Sequence, residues 1–191
     1  MSRLWLVRHG PTHAKTMIGW TDRAADLSDD AALGRLSAAL PETAQVISSD
    51  LSRAVATADR IGGERSRRAH RDGLREIHFG DWEDRSFAEI DAEAPDQIRA
   101  FWEVPGAVRA PGGESWDDLA ARVTAAVDEE MAQEAEDLVV VCHFGAILTQ
   151  VQRALDLSAQ AAFRMKIDPL SVTLLEQHGS DWSVGFVNRL P

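Results

Sequence analysis

The chain carries a single cysteine, Cys142, so no internal disulfide can form, which suits a reducing compartment. Nowhere does it hold the ~20 consecutive apolar residues of a membrane-crossing helix. Its opening run Leu4-Trp5-Leu6-Val7 meets Arg8 too early for a secretory leader. Positive charge is scarce as well: 20 lysines and arginines face 31 aspartates and glutamates, for a net charge of -11. That balance argues against a general affinity for nucleic acid or anionic membranes, so an anionic ligand needs a local basic pocket. The expectation is a soluble, cytoplasmic protein with neither nucleic acid nor membrane as partner.

What is present is enough for one domain, 1–191, because 45% hydrophobic residues in 191 supply a sizeable core. Leu4 to Val7 reads as a buried strand that stops at the tight polar loop Arg8-His9-Gly10-Pro11. Ser28 is the expected N-cap of a helix through Leu33, Leu36 and Leu40, ended by Pro41. Val46 to Ser49 reads as a second strand feeding a helix from Leu51 to Ile61, closed by Gly62-Gly63. The arginines between Arg65 and Arg75 alternate with Ser66, Ala69 and Asp72, which reads as a solvated connection and edge strand rather than a polyanion patch. Ser86 to Phe101 is helix-rich with a break at Pro95, and Pro105 to Gly113 is a loop; the stretch from about 81 to 113 has the character of a cap-like insertion.

Ser115-x-x-Asp118 resembles a capping box and opens a helix through Leu119, Val123 and Val127 towards the acidic stretch near Glu134. Leu138 to Val141 is the strongest strand, followed by a helix from Gly145 through Leu155; Ser171 to Leu175 and Trp182 to Val187 close the chain as two strands. Strands alternating with helices imply an α/β fold, a three-layer α/β/α sandwich on a mostly parallel sheet, with ligands beyond the carboxyl ends of the strands. Three polar clusters stand at such ends: Arg8-His9-Gly10, Ser48-Ser49 with Arg53 beyond, and His143.

Attack on phosphorus suits a neutral imidazole, and flanking arginines disfavour a further positive charge on its ring, so His9 is the candidate nucleophile. Arg8 and Arg53 can fork onto phosphoryl oxygens and His143 can donate to a third, neutralising transition-state charge with no metal and no cofactor. Glu76, set among Leu74, Ile77 and Phe79, is the chosen proton donor to the leaving oxygen, with Asp81 and Glu83 as competitors. Zinc at His9 and His13 is disfavoured, since that spacing needs a helix and this segment leaves a strand into Pro11. His13, His70, His78 and His178 read as surface or edge residues, and Cys142 as a small buried hydrophobe. A cysteine nucleophile is excluded, because an arginine is wanted six residues on, where Leu148 stands.

Arg8-His9-Gly10, Ser48 to Ala54, Leu74 to Glu83 and Val141-Cys142-His143-Phe144-Gly145 together resemble the histidine phosphatase, or phosphoglycerate mutase-like, superfamily. The motifs occur in that family's order and span residues 8 to 145. The resemblance implies a phosphohistidine at His9, a phosphoryl group held by Arg8, Arg53 and His143, and a proton from Glu76. Thr12 matches the family's hydroxyl position and is assigned to substrate binding; the Pro111 to Ser115 segment is given a shaping role. Pro11 and Lys15 depart from the glutamate and asparagine of many members, and the loop from His9 to Asp22 is shorter than in the mutases. The first reading is therefore a phosphomonoesterase for a small phosphorylated substrate, ahead of a phosphoglycerate-type mutase or a non-catalytic phosphate-binding module. Trp20, Trp82, Trp102 and Trp116 read as packing residues before ring-stacking ones.

Overall fold

The computed structural model describes residues 1–133 and 136–191. Its five strands are β1 (Ser2–Arg8), β2 (Gln45–Ser48), β3 (Asp137–Cys142), β4 (Val172–His178) and β5 (Asp181–Arg189), ordered β2-β3-β1-β4-β5 in one sheet. β3 is buried along its whole length, as an uninterrupted Leu-Val-Val-Val run requires of a strand covered on both faces. It pairs in parallel with β1 and with β2, while the closing hairpin adds β4 and β5 antiparallel. The sheet is thus mixed, and parallel where β1, β2 and β3 deliver their polar ends to one edge.

The helices are α1 (Asp30–Ala39), α2 (Ser52–Gly62), α3 (Phe87–Glu93), α4 (Pro95–Glu103), α5 (Trp116–Met131), α6 (Phe144–Leu155) and the short α7 (Ala159–Ala162). The period-2 alternation of β3 divides the core between the two faces of the sheet. Val139 and Val141 join Leu33, Leu36, Ala54, Ala58 and Ile61 of α1 and α2. Leu138, Val140 and Cys142 instead join Leu119 and Val123 of α5 and Ile147 and Val151 of α6. These are the three layers expected.

Local chemistry sets the helix ends. The Ser115 hydroxyl accepts from Asp118 N–H while the Asp118 carboxylate accepts from Ser115 N–H, the reciprocal capping expected of that spacing. The helix is described to Met131, and its expected approach to Glu134 lies outside the described residues. Pro95 opens α4 instead of merely breaking a helix, because its missing N–H costs nothing in a first turn. The cap of α1 is Asp29, whose carboxylate accepts from Ala32 N–H, and not Ser28.

The basic stretch does not form an edge strand. Its backbone pairing beside β2 is limited to isolated bridges, Val46 to Arg67 and, just beyond the strand, Ser49 to Arg71. Its arginines are spent on fixed partners: Arg68 pairs with the buried Glu130 at 2.9 Å, Arg75 forks onto Asp50, and Arg65 donates to the terminal carbonyls of α1 and α2.

Candidate active site

β1 hands the chain to His9, whose N–H donates to Cys142 O at 3.1 Å, and the next N–H, of Gly10, donates to Thr57 Oγ1 at 3.0 Å. The ring is buried, with Nδ1 2.6 Å from Gly10 O. A carbonyl only accepts, so Nδ1 carries the proton and Nε2 presents a lone pair. Burial, then the Arg53 charge and less so Arg8, push the His9 pKa down to about 3 against the pull of the Gly10 carbonyl, so the ring is neutral at pH 7.

Arg53, in the first turn of α2, is fully buried. It donates through Nη1 to Thr21 O (2.9 Å), through Nη2 to Gly19 O (2.6 Å) and through Nε to His143 Nδ1 (3.3 Å). A guanidinium cannot accept, so His143 Nδ1 is the bare nitrogen and the proton sits on Nε2. That Nε2 is buried without a partner among the described residues. Burial first, then His9 and Arg53, hold the His143 pKa well below its ordinary value. The His9 and His143 ring centroids lie 5.0 Å apart.

Arg8 donates to Ile167 O at 2.5 Å, lies over the Phe144 ring, and keeps a buried Nε without a partner among the described residues. Arg8, His9, Arg53 and His143 are therefore one cluster, with unspent donors on Arg8, Arg53 and His143 around a neutral imidazole. The N-terminal turns of α2 and α6 add their partial positive charge to this end of the sheet.

Glu76 is buried on the same side, its Oε2 accepting from Gly145 N–H and its Oε1 from Ile77 N–H, each at 2.9 Å. Its charge partly offsets the effect of burial on both Arg8 and Arg53, which burial holds below their ordinary pKa. The Glu76 backbone is held in turn: its carbonyl accepts from Trp20 Nε1 (2.9 Å) and Arg122 Nη2 (3.1 Å). Arg122 also donates to the carbonyls of Gly73 and Arg75 and forks onto Glu114. Sequence reasoning missed Arg122 and gave Trp20 no such role. The usable signal was an acid and a base, Glu114 and Arg122, flanking the start of α5.

The competitors of Glu76 are otherwise engaged. Glu83 accepts from the N–H groups of Gly19, Trp20, Thr21 and Phe79 and from Thr21 Oγ1, pinning the loop after His9. Burial alone would raise its pKa, but those hydrogen bonds win and hold it below the ordinary carboxylate value. Asp81 is exposed. Thr12 is partly exposed on the loop after His9, and Lys15 is exposed there. His13 is exposed and bonded to Asp26 at 2.9 Å, His70 and His178 are exposed, and His78 is half-buried against Trp20. Burial pushes the Cys142 thiol far above its ordinary pKa, as befits an inert core group. Trp82 and Trp116 are core residues, while Trp102 is partly buried against the same core.

The depressed His9 pKa has a consequence for stability. Near pH 6.5 and below, the unfolded chain binds a proton at His9 while the folded one does so only at about 3. The stabilisation is complete above the unfolded pKa and is lost as pH falls through this window. By pH 5 the loss amounts to about 2 kcal/mol. Urea unfolding at pH 7 and pH 5 should show His9→Asn losing about 2 kcal/mol less than the parent on acidification; an identical loss in both proteins would mean that the ring is not held neutral.

Comparisons with known proteins place the chain in a family. The histidine phosphatase superfamily (branch 1) matches residues 4–189. The bifunctional protein Rv2228c of Mycobacterium tuberculosis is 30% identical over 199 residues, covering 98% of this chain and 54% of that protein, so the chain spans about half the length of this curated relative. Glucosyl-3-phosphoglycerate phosphatase of M. tuberculosis is 35% identical over 165 residues, covering 76% of this chain and 71% of that one. The native structure of a mycobacterial glucosyl-3-phosphoglycerate phosphatase superposes with a TM-score of 0.85 at 31% identity over the whole of both chains. The chain belongs to the histidine phosphatase superfamily.

Proposed function

We propose that this chain hydrolyses a small phosphorylated substrate in two steps through a phosphohistidine at His9. In the first, His9 Nε2 bonds to phosphorus, the bond from phosphorus to the ester oxygen breaks with its electron pair going to oxygen, and Glu76, which takes up a proton from solvent as the substrate binds, delivers that proton there. In the second, Glu76 takes a proton from water as the water oxygen bonds to phosphorus and the N–P bond breaks. The products are the alcohol and inorganic phosphate, and Glu76 and His9 return to their starting forms. Arg8, Arg53 and His143 meet the charge on the equatorial oxygens, with no metal required, and Thr12 contributes at the rim. Residues 1–191 act as one domain, in which the segment 81–113, carrying α3 and α4, serves as a cap.

The observation that carries this reading is the His9 tautomer. The bond from Nδ1 to the Gly10 carbonyl leaves the Nε2 lone pair free, in a cluster where Arg8 Nε and His143 Nε2 have no partner among the described residues. The test is direct. Acid-quenched mixtures of enzyme and 32P-labelled ester should yield acid-labile, alkali-stable label on the chain, and His9→Ala should give none and turn over at least about a thousandfold more slowly. Label retained in His9→Ala would refute the assignment, and an isomerised phosphate ester in place of free phosphate would point to a mutase.

A further inference from the structure

We propose that the space beside Glu76 is a leaving-group pocket selecting phosphate esters of compact, apolar alcohols over those of polyols and sugars. The proposal rests on the hydrolytic reading above, since it takes Glu76 as the group facing the ester oxygen. A cavity of about 40 Å³ opens next to the Glu76 carboxylate and Gly145. Its walls include Phe79, Phe101, Trp102, Trp116, Phe144 and Phe163. They come from separate parts of the chain: the loop after Glu76, α4 of the 81–113 segment, the starts of α5 and α6, and the turn ending α7. The rings brace one another, Trp116 against Phe163 at 4.4 Å and Trp102 edge-on to Phe101 at 5.1 Å and to Phe163 at 5.8 Å.

Two features of this lining define an occupant. Apart from Glu76, none of the lining side chains is charged, and the only polar side-chain atoms are the two indole nitrogens. Trp116 Nε1 already donates to Gln152 at 2.6 Å, whereas Trp102 Nε1 is buried without a partner among the described residues. A hydroxyl-rich alcohol would surrender its water here for carbon, at a cost of about tenfold or more in kcat/KM for each unpaired hydroxyl. A methylene placed there gains about fourfold. Size narrows the choice further: a water molecule takes about 30 Å³ of liquid, and about 150 Å³ is needed to hold benzene, so the space fits roughly one or two carbons beyond the ester's own first methylene and no hexose.

The experiment compares esters matched in carbon count. Propyl phosphate should exceed glycerol 3-phosphate by at least about tenfold in kcat/KM. Phe163→Ala, which widens the pocket, should move the optimum to pentyl phosphate. Should that variant fold poorly, Phe163→Leu, a milder opening of the same wall, should move the optimum to butyl phosphate while leaving propyl above glycerol 3-phosphate. Equal or better turnover of glycerol 3-phosphate by the parent overturns the pocket, as does an unchanged order of chain lengths in Phe163→Ala or Phe163→Leu. Labelled phosphohistidine separates the two proposals: label forming equally fast from both three-carbon esters defeats the pocket alone, and no label from either defeats the hydrolytic reading on which it stands.

Discussion

Arg53→Lys is expected to lower kcat/KM for phosphate monoesters by about a thousandfold although it keeps the charge. Lysine provides one ammonium where Arg53 makes three separate contacts, to Thr21 O, Gly19 O and His143 Nδ1. The remaining N–H groups of the guanidinium are the ones available to fork onto a phosphoryl group. The contact to His143 matters most, because it fixes which nitrogen of that ring bears the proton. Without it, the proton can move to Nδ1, and Nε2 turns from a donor into an acceptor facing phosphoryl oxygens. Losing one such donor outright costs roughly a hundredfold to a thousandfold, so the lost fork together with a partly flipped His143 gives the expected size. The 15N chemical shifts of the His143 ring should report a mixed tautomer in the variant and a single one in the parent. Activity within tenfold of the parent, or an unchanged tautomer, would remove Arg53 from this role.

Much of this arrangement was legible in the chain itself, for physical reasons that differ from element to element. β3 announced itself because four consecutive apolar β-formers have few stable settings other than a strand covered on both faces. α5 was readable to its cap because Ser115 and Asp118 satisfy each other within one turn, an interaction encoded entirely in local sequence. His9, Arg53 and His143 could be named because each belongs to a short motif at a strand end or helix start, and the sheet brings such ends together, whereas Glu76 lies in a loop and was marked by its apolar neighbours.

Other features depend on partners far along the chain. Nothing near Arg68 reveals that it faces the buried Glu130, 62 residues away, so the basic stretch read as a solvated edge when it is a set of clamps. Asp29 and Ser28 are equally good caps by type, and only the position of Ala32 N–H decides between them. The same holds for Glu83. As a sequence it competed with Glu76, and only the fold shows its carboxylate wholly spent on the loop from Gly19 to Thr21 and on Phe79. The group of Trp20, Arg122 and Glu114 was hidden because Trp20 and Arg122, from distant segments, both donate to the Glu76 carbonyl while Glu114 accepts from Arg122.

Gly145→Ala should leave the fold nearly intact while cutting kcat for alkyl phosphates by about a hundredfold. A methyl group at this position would stand 2.4 Å from Glu76 Oε1 and 3.1 Å from a Leu119 methyl. Its obstruction is the end of a side chain and not backbone, so the carboxylate can yield, but only by leaving its place against the Gly145 N–H. Alanine in the first turn of α6 offsets the strain, since it favours helix over glycine by about 1 kcal/mol. The change in Tm should therefore be small. Displacement by about 1 Å is enough to spoil a proton transfer, and the damage should follow the need for that proton. In kcat/KM, which reports only the phosphorylation of His9, alkoxide leaving groups should suffer the full loss, whereas nitrophenolate, which departs without protonation, should lose only a few-fold. Phosphohistidine would still form from nitrophenyl phosphate, yet its breakdown should slow and label should accumulate, because Glu76 also takes the proton of the attacking water. Equal losses for both ester classes, or label that clears as fast as in the parent, would show that the carboxylate beside Gly145 is not the group that moves the proton.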